Sequence, residues 1–336
     1  HGAAQIATLS QWFLGSTLIM VRKFDAEGVW DLFESEGVNS VLLTGDAMAR
    51  PLMDALDAEP DRWDLSALIS VSSSAALFSQ SLKDRYMERF PDIVLTDSVG
   101  STESGFNGLM YASKGQKAVG GGPTVARGRD VVILDDDLRI IPPGDTRTGK
   151  LGRGGNIPLG YFNDPAKTAE TFVIAADGRR YAVSGDSAQW TDEGHLTMLG
   201  RGSVSINSGG EKIFPEEVEQ ALKSHPAVFD CTVVGVADDC WGQRVAAIVQ
   251  LSDDRTCTLA ELIEPARKHI AGYKPPRELH VVDHMVRSPA GKPDYRWAKA
   301  LASSSGRETV ISSRLRFGKA LVPVISIVLV APAAKP

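Results

Sequence analysis

Cysteine is scarce in this sequence, which has three among its 336 residues. Cys231, Cys240 and Cys257 form no CxxC pair and are accompanied by no paired histidines. This spacing argues against a structural zinc site and against a disulfide framework. Because unpaired cysteines are typical of reducing compartments, we expect a cytoplasmic protein.

An excess of positive charge is also missing. The sequence has 36 Lys and Arg residues against 42 Asp and Glu residues, which leaves a net charge of −6. Nucleic-acid backbones select basic surfaces, so a nucleic-acid partner is not expected.

Long apolar runs are absent as well. The most apolar stretch, residues 320–331, is interrupted by Pro323 and Ser326. It is also shorter than the ~20 residues that cross a bilayer. The first residues do not resemble a signal peptide. The sequence therefore predicts no membrane-spanning helix, although peripheral contact of a loose tail with a membrane interface stays open.

A glycine-rich loop that follows a strand and opens a helix, the usual cradle for phosphates, is not found either. What is present is the composition of an ordinary globular protein, with 43% hydrophobic and 23% charged residues. The length allows two domains that each have a core.

Helical and extended patterns alternate from His1 to about Thr96. The predicted helices and strands are, in order, helix 29–36, strand 38–43, helix 48–56, strand 68–71, helix 81–90 and strand 93–95. Short apolar strands between helices predict a parallel sheet covered by helices. Such sheets bind ligands at the carboxyl ends of their strands, so the residues after Val71 and Leu95 are candidates for a site.

Two polar segments follow these strands. The first is Ser72-Ser73-Ser74-Ala75-Ala76, whose small side chains leave room for a flat ring, although a simple serine-rich turn is the alternative. The second runs from Asp97 to Gly105 and sets a hydroxyl beside a carboxylate at Thr102 and Glu103. Such a pair can present one oxygen to a phosphate and another to Mg²⁺, which prefers oxygen ligands.

Residues 107–189 lose the helical pattern and predict short strands at 131–134, 149–153 and 195–198, as in a small barrel or a distorted sheet. The segment from Gly160 to Thr168 predicts a loop and a capped helix. Asp186 follows a strand and could accept hydrogen bonds from both hydroxyls of a ribose. Arg201 could reinforce the ribose or phosphate side.

A second unit begins near Gly202. Residues 200–219 predict a turn, a short strand, a glycine corner at Ser208-Gly209-Gly210, and a helix with Pro215 in its first position. A hairpin that leads to a surface helix is the alternative. Helices at 215–223 and 259–270 and strands at 231–236, 244–250 and 278–282 predict a compact α+β domain.

The segment Ser288-Pro289-Ala290-Gly291-Lys292 predicts a flexible loop that ends in a lysine. By composition alone, Lys292 would be one more solvated loop residue. An ammonium group that reached both a carboxylate and a phosphate could instead neutralise the negative charge of a transition state.

Three segments in order, residues 181–186, 200–219 and 288–292, resemble the adenylate-forming family of acyl-CoA synthetases, luciferases and peptide-synthetase adenylation domains. The residues from Ser208 to Lys212 and from Pro215 to Glu219 are most similar to the acyl-CoA ligase branch. The resemblance extends from His1 to about Ala302. It implies a large domain made of a parallel α/β subdomain and a small β-barrel, followed by a small mobile α+β domain.

The resemblance also implies boundaries between these parts. An α/β subdomain would span residues 1–106, a barrel-like subdomain 107–199, a hinge 200–204 and the C-terminal domain 205–302. Residues 303–336 do not match the family, and we expect a disordered tail there. The family's phosphate loop has no counterpart in these residues and is expected ahead of His1.

Site residues carried over from the family form four groups. Lys292, Thr102 and Glu103 would be catalytic, with Thr102 on the α-phosphate and Glu103 on Mg²⁺. Nucleotide-binding residues would be Ser73, Ser74, Ala75, Asp97, Gly100, Ser101, Asp186 and Arg201. The coenzyme A and hinge side would include Ser208, Gly209, Gly210, Glu211, Tyr273 and Lys274, and the acyl pocket His1 and Gly105.

Two positions depart from the family pattern. Val99 stands where an aromatic residue usually precedes the glycine, which weakens any stacking on adenine at this position. Ser203-Val204 stands where the family hinge carries an aspartate or lysine, so the pivot is less well placed than the glycine corner.

The function implied is ATP-dependent activation of a carboxylic acid, a fatty acid above all, to an acyl-AMP and then to an acyl-CoA. ATP, Mg²⁺ and coenzyme A would be required. The alternatives are an aryl- or steroid-acid ligase, and an inactive chain that only binds its ligands.

Overall fold

A computed structural model describes residues 2–21, 24–115, 122–252, 255–288 and 291–304, and the backbone of residues 309–310 and 327–331. The helices are α1 (Gly2–Phe13), α2 (Ala26–Glu36), α3 (Asp46–Ala58), α4 (Gln80–Arg89), α5 (Pro165–Thr171), α6 (Pro215–Leu222), α7 (Leu259–Ala266) and α8 (Tyr295–Ser304).

The strands fall into two sheets. The first contains β1 (Thr17–Val21), β2 (Ser40–Leu43), β3 (Ser70–Ser74), β4 (Val94–Ser101), β5 (Gly105–Tyr111), β6 (Thr124–Arg127), β7 (Val131–Leu134), β8 (Ile140–Ile141), β9 (Gly149–Arg153), β10 (Phe172–Ile174), β11 (Arg180–Trp190), β12 (Leu196–Arg201) and β19 (Ile327–Ala331). The second contains β13 (Ile206–Ser208), β14 (Glu211–Ile213), β15 (Val228–Asp238), β16 (Gly242–Leu251), β17 (Glu278–Val282) and β18 (Thr309–Val310).

Strands β2, β3 and β4 form the parallel centre of the first sheet. The helices that alternate with them bury an apolar face against the sheet, as their spacing predicts. In α2, Asp25 caps the first turn by accepting a hydrogen bond from the backbone N of Gly28 at 3.0 Å. The Trp30 indole lies in the core and donates to the carbonyl of Leu52 at 2.8 Å, which ties α2 to α3.

The remaining strands of the first sheet extend it in an antiparallel manner. The order continues from β4 through β5, β6, β12, β11 and β9 to β7 and β8, with β10 paired to β11. The register shifts in β11 between Ser187 and Ala188 and between Val183 and Ser187. This segment therefore continues the large sheet, as the distorted-sheet alternative predicts.

The second sheet carries its own core. Pro215 occupies the first turn of α6, and Thr258 and Glu261 form a reciprocal capping box at the start of α7. The buried apolar residues of the two helices and of the long hairpin β15–β16 include Val218, Leu222, Val233, Ala247 and Leu262. The α/β plus α+β fold class predicted from the sequence is confirmed.

Two predictions about secondary structure were wrong. Strand β4 does not end at Leu95 but extends through Asp97 to Ser101, so the polar turn is confined to residues 102–104. The tail 303–336 is not disordered throughout, because β18 pairs with β17 and β19 lies between β1 and β2. Backbone hydrogen bonding of these two strands does not require the side-chain patterns on which the prediction relied. Among the residues that the structure describes, no helix combines the length and apolarity needed to cross a membrane.

Candidate active site

A cavity of about 370 Å³ lies between the two sheets. Its walls come from the ends of β3 and β4, from the β11–β12 hairpin, from α6 and from the loop before α8. Eight of the residues predicted for the site line it: Ser73, Ser74, Ala75, Asp97, Gly100, Asp186, Arg201 and Lys292. The loops predicted from the sequence are thus brought together, although Ser73 and Lys292 are 219 residues apart in the sequence.

The end of β3 forms one wall from small side chains whose polar atoms are already satisfied. The Ser74 hydroxyl donates to the Ser98 carbonyl at 3.0 Å, and the Ser73 hydroxyl accepts from the backbone N of Gly45 at 3.2 Å. Since these hydroxyls are held against the backbone, the wall presents a flat surface to the cavity. Asp97 forms an ion pair with Lys83, so its carboxylate is engaged within the protein.

The turn after β4 is held by close backbone contacts. A Cβ on Gly100 would lie 2.4 Å from the Gly105 carbonyl oxygen, so this position admits only glycine without a shift. The Glu103 carboxylate accepts a hydrogen bond from the Tyr161 hydroxyl at 2.7 Å. Burial alone would raise the pKa of Glu103, but hydrogen bonds from Tyr161, its own backbone and Ser101, together with the charge of Arg201, lower it. Glu103 is therefore kept ionised.

The β11–β12 hairpin supplies a second pair of charges. Asp186 and Arg201 are directly opposite in the ladder, and the guanidinium Nε lies 3.4 Å from Asp186 Oδ1. The other carboxylate oxygen accepts from the Ser184 hydroxyl at 2.9 Å. This arrangement fixes the direction of the carboxylate toward the cavity.

Lys292 reaches the same place from the other sheet. Its ammonium group is half-buried, and burial lowers its pKa, as does the charge of Arg201. Asp186 and Glu103 act in the opposite direction on the same pKa. Lys292, Asp186 and Arg201 line the same cavity, whereas Glu103 acts on the lysine from the turn after β4, outside the cavity lining.

Other predicted residues lie elsewhere. Thr102 is exposed in the turn and does not line the cavity. Residues 208–211 form the β13–β14 hairpin, where the backbone N of Gly209 donates to the Trp241 carbonyl at 2.9 Å. Lys274 binds both carboxylate oxygens of Glu217 at 2.7 Å, and Tyr273 is exposed beside it. His1 lies outside the described residues.

A second cavity of about 220 Å³ lies on the opposite side of β4. Ser101 and Gly105 line it, together with apolar side chains from α1, β2 and β5: Ile6, Ala7, Val41, Leu42, Phe106 and Leu109. Ser98, Val99 and Gly100 line both cavities. A ligand with a polar head in the first cavity and an apolar tail in the second would thus pass along the β4 backbone at Ser98 to Gly100.

Comparison with known proteins identifies the family. A model described as AMP-binding enzyme matches residues 1–162, and a model described as AMP-binding enzyme C-terminal domain matches residues 217–292. The chain belongs to the AMP-binding enzyme family. Lys292 is the last residue of the second match, and β3, β4 and the turn that carries Glu103 lie within the first.

Curated relatives in this family are acyl-CoA ligases. A 3-oxocholest-4-en-26-oate–CoA ligase of Rhodococcus rhodochrous is 52% identical over 303 residues, which cover 89% of this chain and 54% of the relative. A medium/long-chain-fatty-acid–CoA/3-oxocholest-4-en-26-oate–CoA ligase of Mycobacterium tuberculosis is 51% identical over 318 residues, or 95% of this chain and 58% of the relative. The chain therefore spans about half the length of the curated relatives it matches.

Solved structures of AMP-binding enzymes share the fold. An amide bond synthetase from Marinactinospora thermotolerans superposes with a TM-score of 0.71 at 26% identity, covering 84% of this chain and 56% of that one. An anthranilate CoA ligase in complex with anthranoyl-AMP gives a TM-score of 0.69 at 19% identity, with coverage of 82% and 52%.

Several residues in and around this candidate site escaped the sequence reasoning. Tyr161, in a segment interpreted as mainly structural, orients Glu103. Lys83 neutralises Asp97, and Glu216 and Glu219 line the cavity from α6. Tyr161, Glu216 and Glu219 lie in segments that the sequence singled out, but nothing in those segments indicated contacts at the site. Lys83 depends on a contact between distant elements.

Glu216 and Glu219 titrate at unusually high pH. Burial, followed by the charge of Glu219 and a smaller effect of Asp186, raises the pKa of Glu216 to about 8. Burial also raises the pKa of Glu219, against the nearby charges of Lys223 and Arg287. An unfolded chain ionises its glutamates near pH ~4.3, so the folded protein retains protons that the unfolded chain has lost. Stability therefore falls as the pH rises from about 4.5 to about 8.

Replacement of Glu216 by glutamine (Glu216→Gln) should reduce this dependence of the folding stability on pH. A neutral amide has no proton to lose, so the decline in the free energy of unfolding between about pH 5 and 8 should become shallower. Denaturant titrations at a series of pH values measure it. The exposed Glu264 on α7 is the control, and Glu264→Gln should keep the original slope. Equal slopes for both variants would contradict the assignment.

Proposed function

We propose that this chain carries the site at which a carboxylic acid is activated with ATP and then transferred to coenzyme A. The observation that carries the proposal is that Lys292 lines the same cavity as Asp186 and Arg201, with Glu103 in the adjoining turn close enough to act on the pKa of the lysine. A cation beside a hydroxyl-binding carboxylate and a metal-binding carboxylate suits a nucleotide whose α-phosphate reacts.

In the first step, an oxygen of the substrate carboxylate attacks the α-phosphorus of ATP. The bond to the bridging oxygen breaks, and pyrophosphate leaves with the electron pair. Asp186 accepts hydrogen bonds from the ribose hydroxyls and fixes the nucleotide. Lys292 lies beside the reacting oxygens and neutralises the negative charge that spreads over them. Thr102 lies in the turn next to Glu103, from which a modest movement would bring its hydroxyl to the phosphate.

In the second step, the small domain rotates about residues 200–204. A 3₁₀ turn at Gly202–Val204 joins the two sheets at this point. Rotation withdraws Lys292 and brings the 208–211 hairpin, with Tyr273 and Lys274 on the same domain, toward the cavity. The thiol of coenzyme A gives its proton to water, and the resulting thiolate attacks the acyl carbon. The bond between the acyl carbon and the phosphate oxygen breaks, and AMP leaves with the electron pair.

Glu103 would hold Mg²⁺ together with phosphate oxygens of the substrate. Mg²⁺ is commonly bound by one or two carboxylates and by phosphates, so a single ionised side chain suffices. The lowered pKa of Glu103 fits this role. The described part of the chain contains no cluster of three metal-binding side chains, in keeping with a metal held mainly by the nucleotide. When bound, the ion would supply charge neutralisation at the phosphates.

The second cavity supports an apolar acid as the substrate. Most of its lining surface is apolar, and it shares Ser98, Val99 and Gly100 with the first cavity. The names of the relatives add two classes, medium- or long-chain fatty acids and a sterol side-chain acid. We propose fatty acids as the substrate class, with steroid side-chain acids as the second candidate. An aryl acid would leave most of the apolar lining without a contact.

Detection of the acyl-AMP tests the function directly. The protein is incubated with ATP, Mg²⁺ and one acid at a time from a panel of octanoate, hexadecanoate, a steroid side-chain acid and benzoate. Mass spectrometry and a pyrophosphate assay should reveal acyl-AMP with the apolar acids before coenzyme A is added. Binding of ATP and acid without any acyl-AMP would instead identify a binding module, and a preference for benzoate would contradict the substrate class.

A further inference from the structure

Asp46 is a buried carboxylate at the start of α3 that faces the other domain. One oxygen accepts hydrogen bonds from the backbone N and the hydroxyl of Ser79, at 2.8 and 3.1 Å. The other lies 3.4 Å from the ammonium group of Lys223, at the end of α6, as an ion pair that is not aligned as a hydrogen bond. The Asp46 and Lys223 side chains are each 2% exposed.

Lys223 continues the chain of charges into the small domain. Its ammonium group lies 3.1 Å from Asp230, and Asp230 also binds the guanidinium of Arg287 through both of its oxygens. Burial would raise the pKa of Asp230, but Lys223 and Arg287 outweigh it and lower the pKa to about 2. All three groups are therefore charged, and each stabilises the next.

Arg287 ends this chain of contacts next to Lys292. Its Nη1 donates to the carbonyl of Gly291 at 2.9 Å, and a bridge between Arg287 and Pro293 closes the loop. Gly291 itself lies against α3, because a Cβ placed on it would be 3.3 Å from Thr44 Cγ2 and 3.8 Å from Ala47. The residue before Lys292 thus touches the same helix end that carries Asp46.

We propose that Asp46 is a positioning residue that acts through Lys223, Asp230 and Arg287 to hold the Lys292 loop in the cavity. The proposal rests on the proposed function for the role of Lys292, but the contact itself does not. Asp46 and Lys223 belong to different domains, so rotation of the small domain must separate them. The pair therefore favours the arrangement in which Lys292 is in place.

The consequence is a selective effect on the first step. When one partner of a buried ion pair is removed, the other charge is left without compensation. Asp46→Asn keeps an oxygen for Ser79 and removes the charge that Lys223 faces, together with the longer ion pair to Arg50 Nη2 at 3.9 Å on the same helix. The Lys292 loop should then leave its position more often. Misplacement of a catalytic group by about 1 Å can cost up to ~10²-fold in rate.

Hydrogen exchange of the whole protein provides the first test. In Asp46→Asn, the backbone N of Gly291, which donates to the Ser288 carbonyl at 2.8 Å, should exchange at least several-fold faster. Core amides of α2 should keep their rates. The matched control is Asp54→Asn, which lies on α3 as Asp46 does and whose carboxylate pairs with Arg85 at the surface. It should leave exchange at Gly291 unchanged.

A second variant guards against a general loss of stability. Lys223→Met replaces the ammonium with an apolar group of similar length and should expose the loop in the same way. Combined with Asp46→Asn, it should add less than its own separate effect, because the Asp46–Lys223 contact is then already lost and only the contact of Lys223 with Asp230 remains to be removed. Unchanged exchange at Gly291 in both single variants would overturn the proposal, as would an equal acceleration throughout α2.

The half-reactions give the second readout. Asp46→Asn should slow acyl-AMP formation by roughly 10-fold to 10²-fold and leave thioester formation from supplied acyl-AMP close to that of the wild type. Faster exchange with normal acyl-AMP formation would overturn the positioning role. If the wild type itself formed no acyl-AMP, the proposed function would fail, and the exchange comparison would still decide whether Asp46 holds the loop.

Discussion

Replacement of Lys292 by alanine is expected to slow acyl-AMP formation by roughly 10²–10³, the usual loss for one preorganised charge donor. Thioester formation from supplied acyl-AMP should be nearly unaffected, because Lys292 has left the cavity by then. The reason is that Lys292 lines the same cavity as Asp186 and Arg201. Single-turnover measurements of the two half-reactions, each started separately, report both rates.

The matched control is Lys299→Ala on α8, an exposed lysine of the same domain. It should alter neither half-reaction. If Lys292→Ala slowed both half-reactions equally, the lysine would be structural and the assigned mechanism would be wrong. The lowered pKa of Lys292 also predicts the pH dependence. Acyl-AMP formation should decline at an alkaline pH that is lower than the pH at which an ordinary lysine loses its proton.

Replacement of Asp186 by alanine should weaken binding of an acyl-adenylate by roughly 10²-fold or more. Hydrogen bonds to a charged group are each worth about 1.5–3 kcal/mol, and the carboxylate can accept from both ribose hydroxyls. Arg201, 3.4 Å away, would also lose its partner. Calorimetric titration with adenosine compounds measures the change.

Two comparisons sharpen this test. Asp192→Ala lies in the turn of the same hairpin, is exposed, and should bind as the wild type does. A 2′,3′-dideoxy form of the ligand cannot use the carboxylate, so Asp186→Ala should weaken its binding far less. An equal loss for both ligands would mean that Asp186 acts on the protein rather than on the ribose.

The local spacing of apolar residues was sufficient to predict the helices and strands that alternate along the first part of the chain. The core faces of α2 and α3 follow helical spacing, and Pro215 marks the first turn of α6. The extent of β4 was not accessible in this way, because Asp97 is an unfavourable strand residue by itself. It is accommodated since Lys83, on α4, forms an ion pair with it. Helix α8 was missed, although Ala298 and Ala302 are spaced by about one helical turn and form its buried face.

The sequence motifs located the residues of the candidate site better than they located the residues that hold those side chains in position. Asp186 and Lys292 were singled out from short segments, and the fold brings them to one cavity, while Glu103 lies in the adjoining turn after β4. Asp46 and Lys223 were not, since they lie 177 residues apart in the sequence and meet only when two domains dock. Contacts of this kind have no local signature. Ser101 was expected at the nucleotide and Gly105 at the acyl group. Both line the second cavity, because β4 continues beyond Leu95.

The most direct test of the central claim is a calorimetric titration with a non-hydrolysable acyl-adenylate. An acyl-sulfamoyl adenosine with a long alkyl chain should bind once per chain and at least ~10²-fold more tightly than AMP, since burial of each CH₂ contributes about 0.8 kcal/mol. The affinity should fall as the alkyl chain is shortened. Binding no tighter than that of AMP, or independent of alkyl length, would contradict a site in which nucleotide and apolar acid meet across β4.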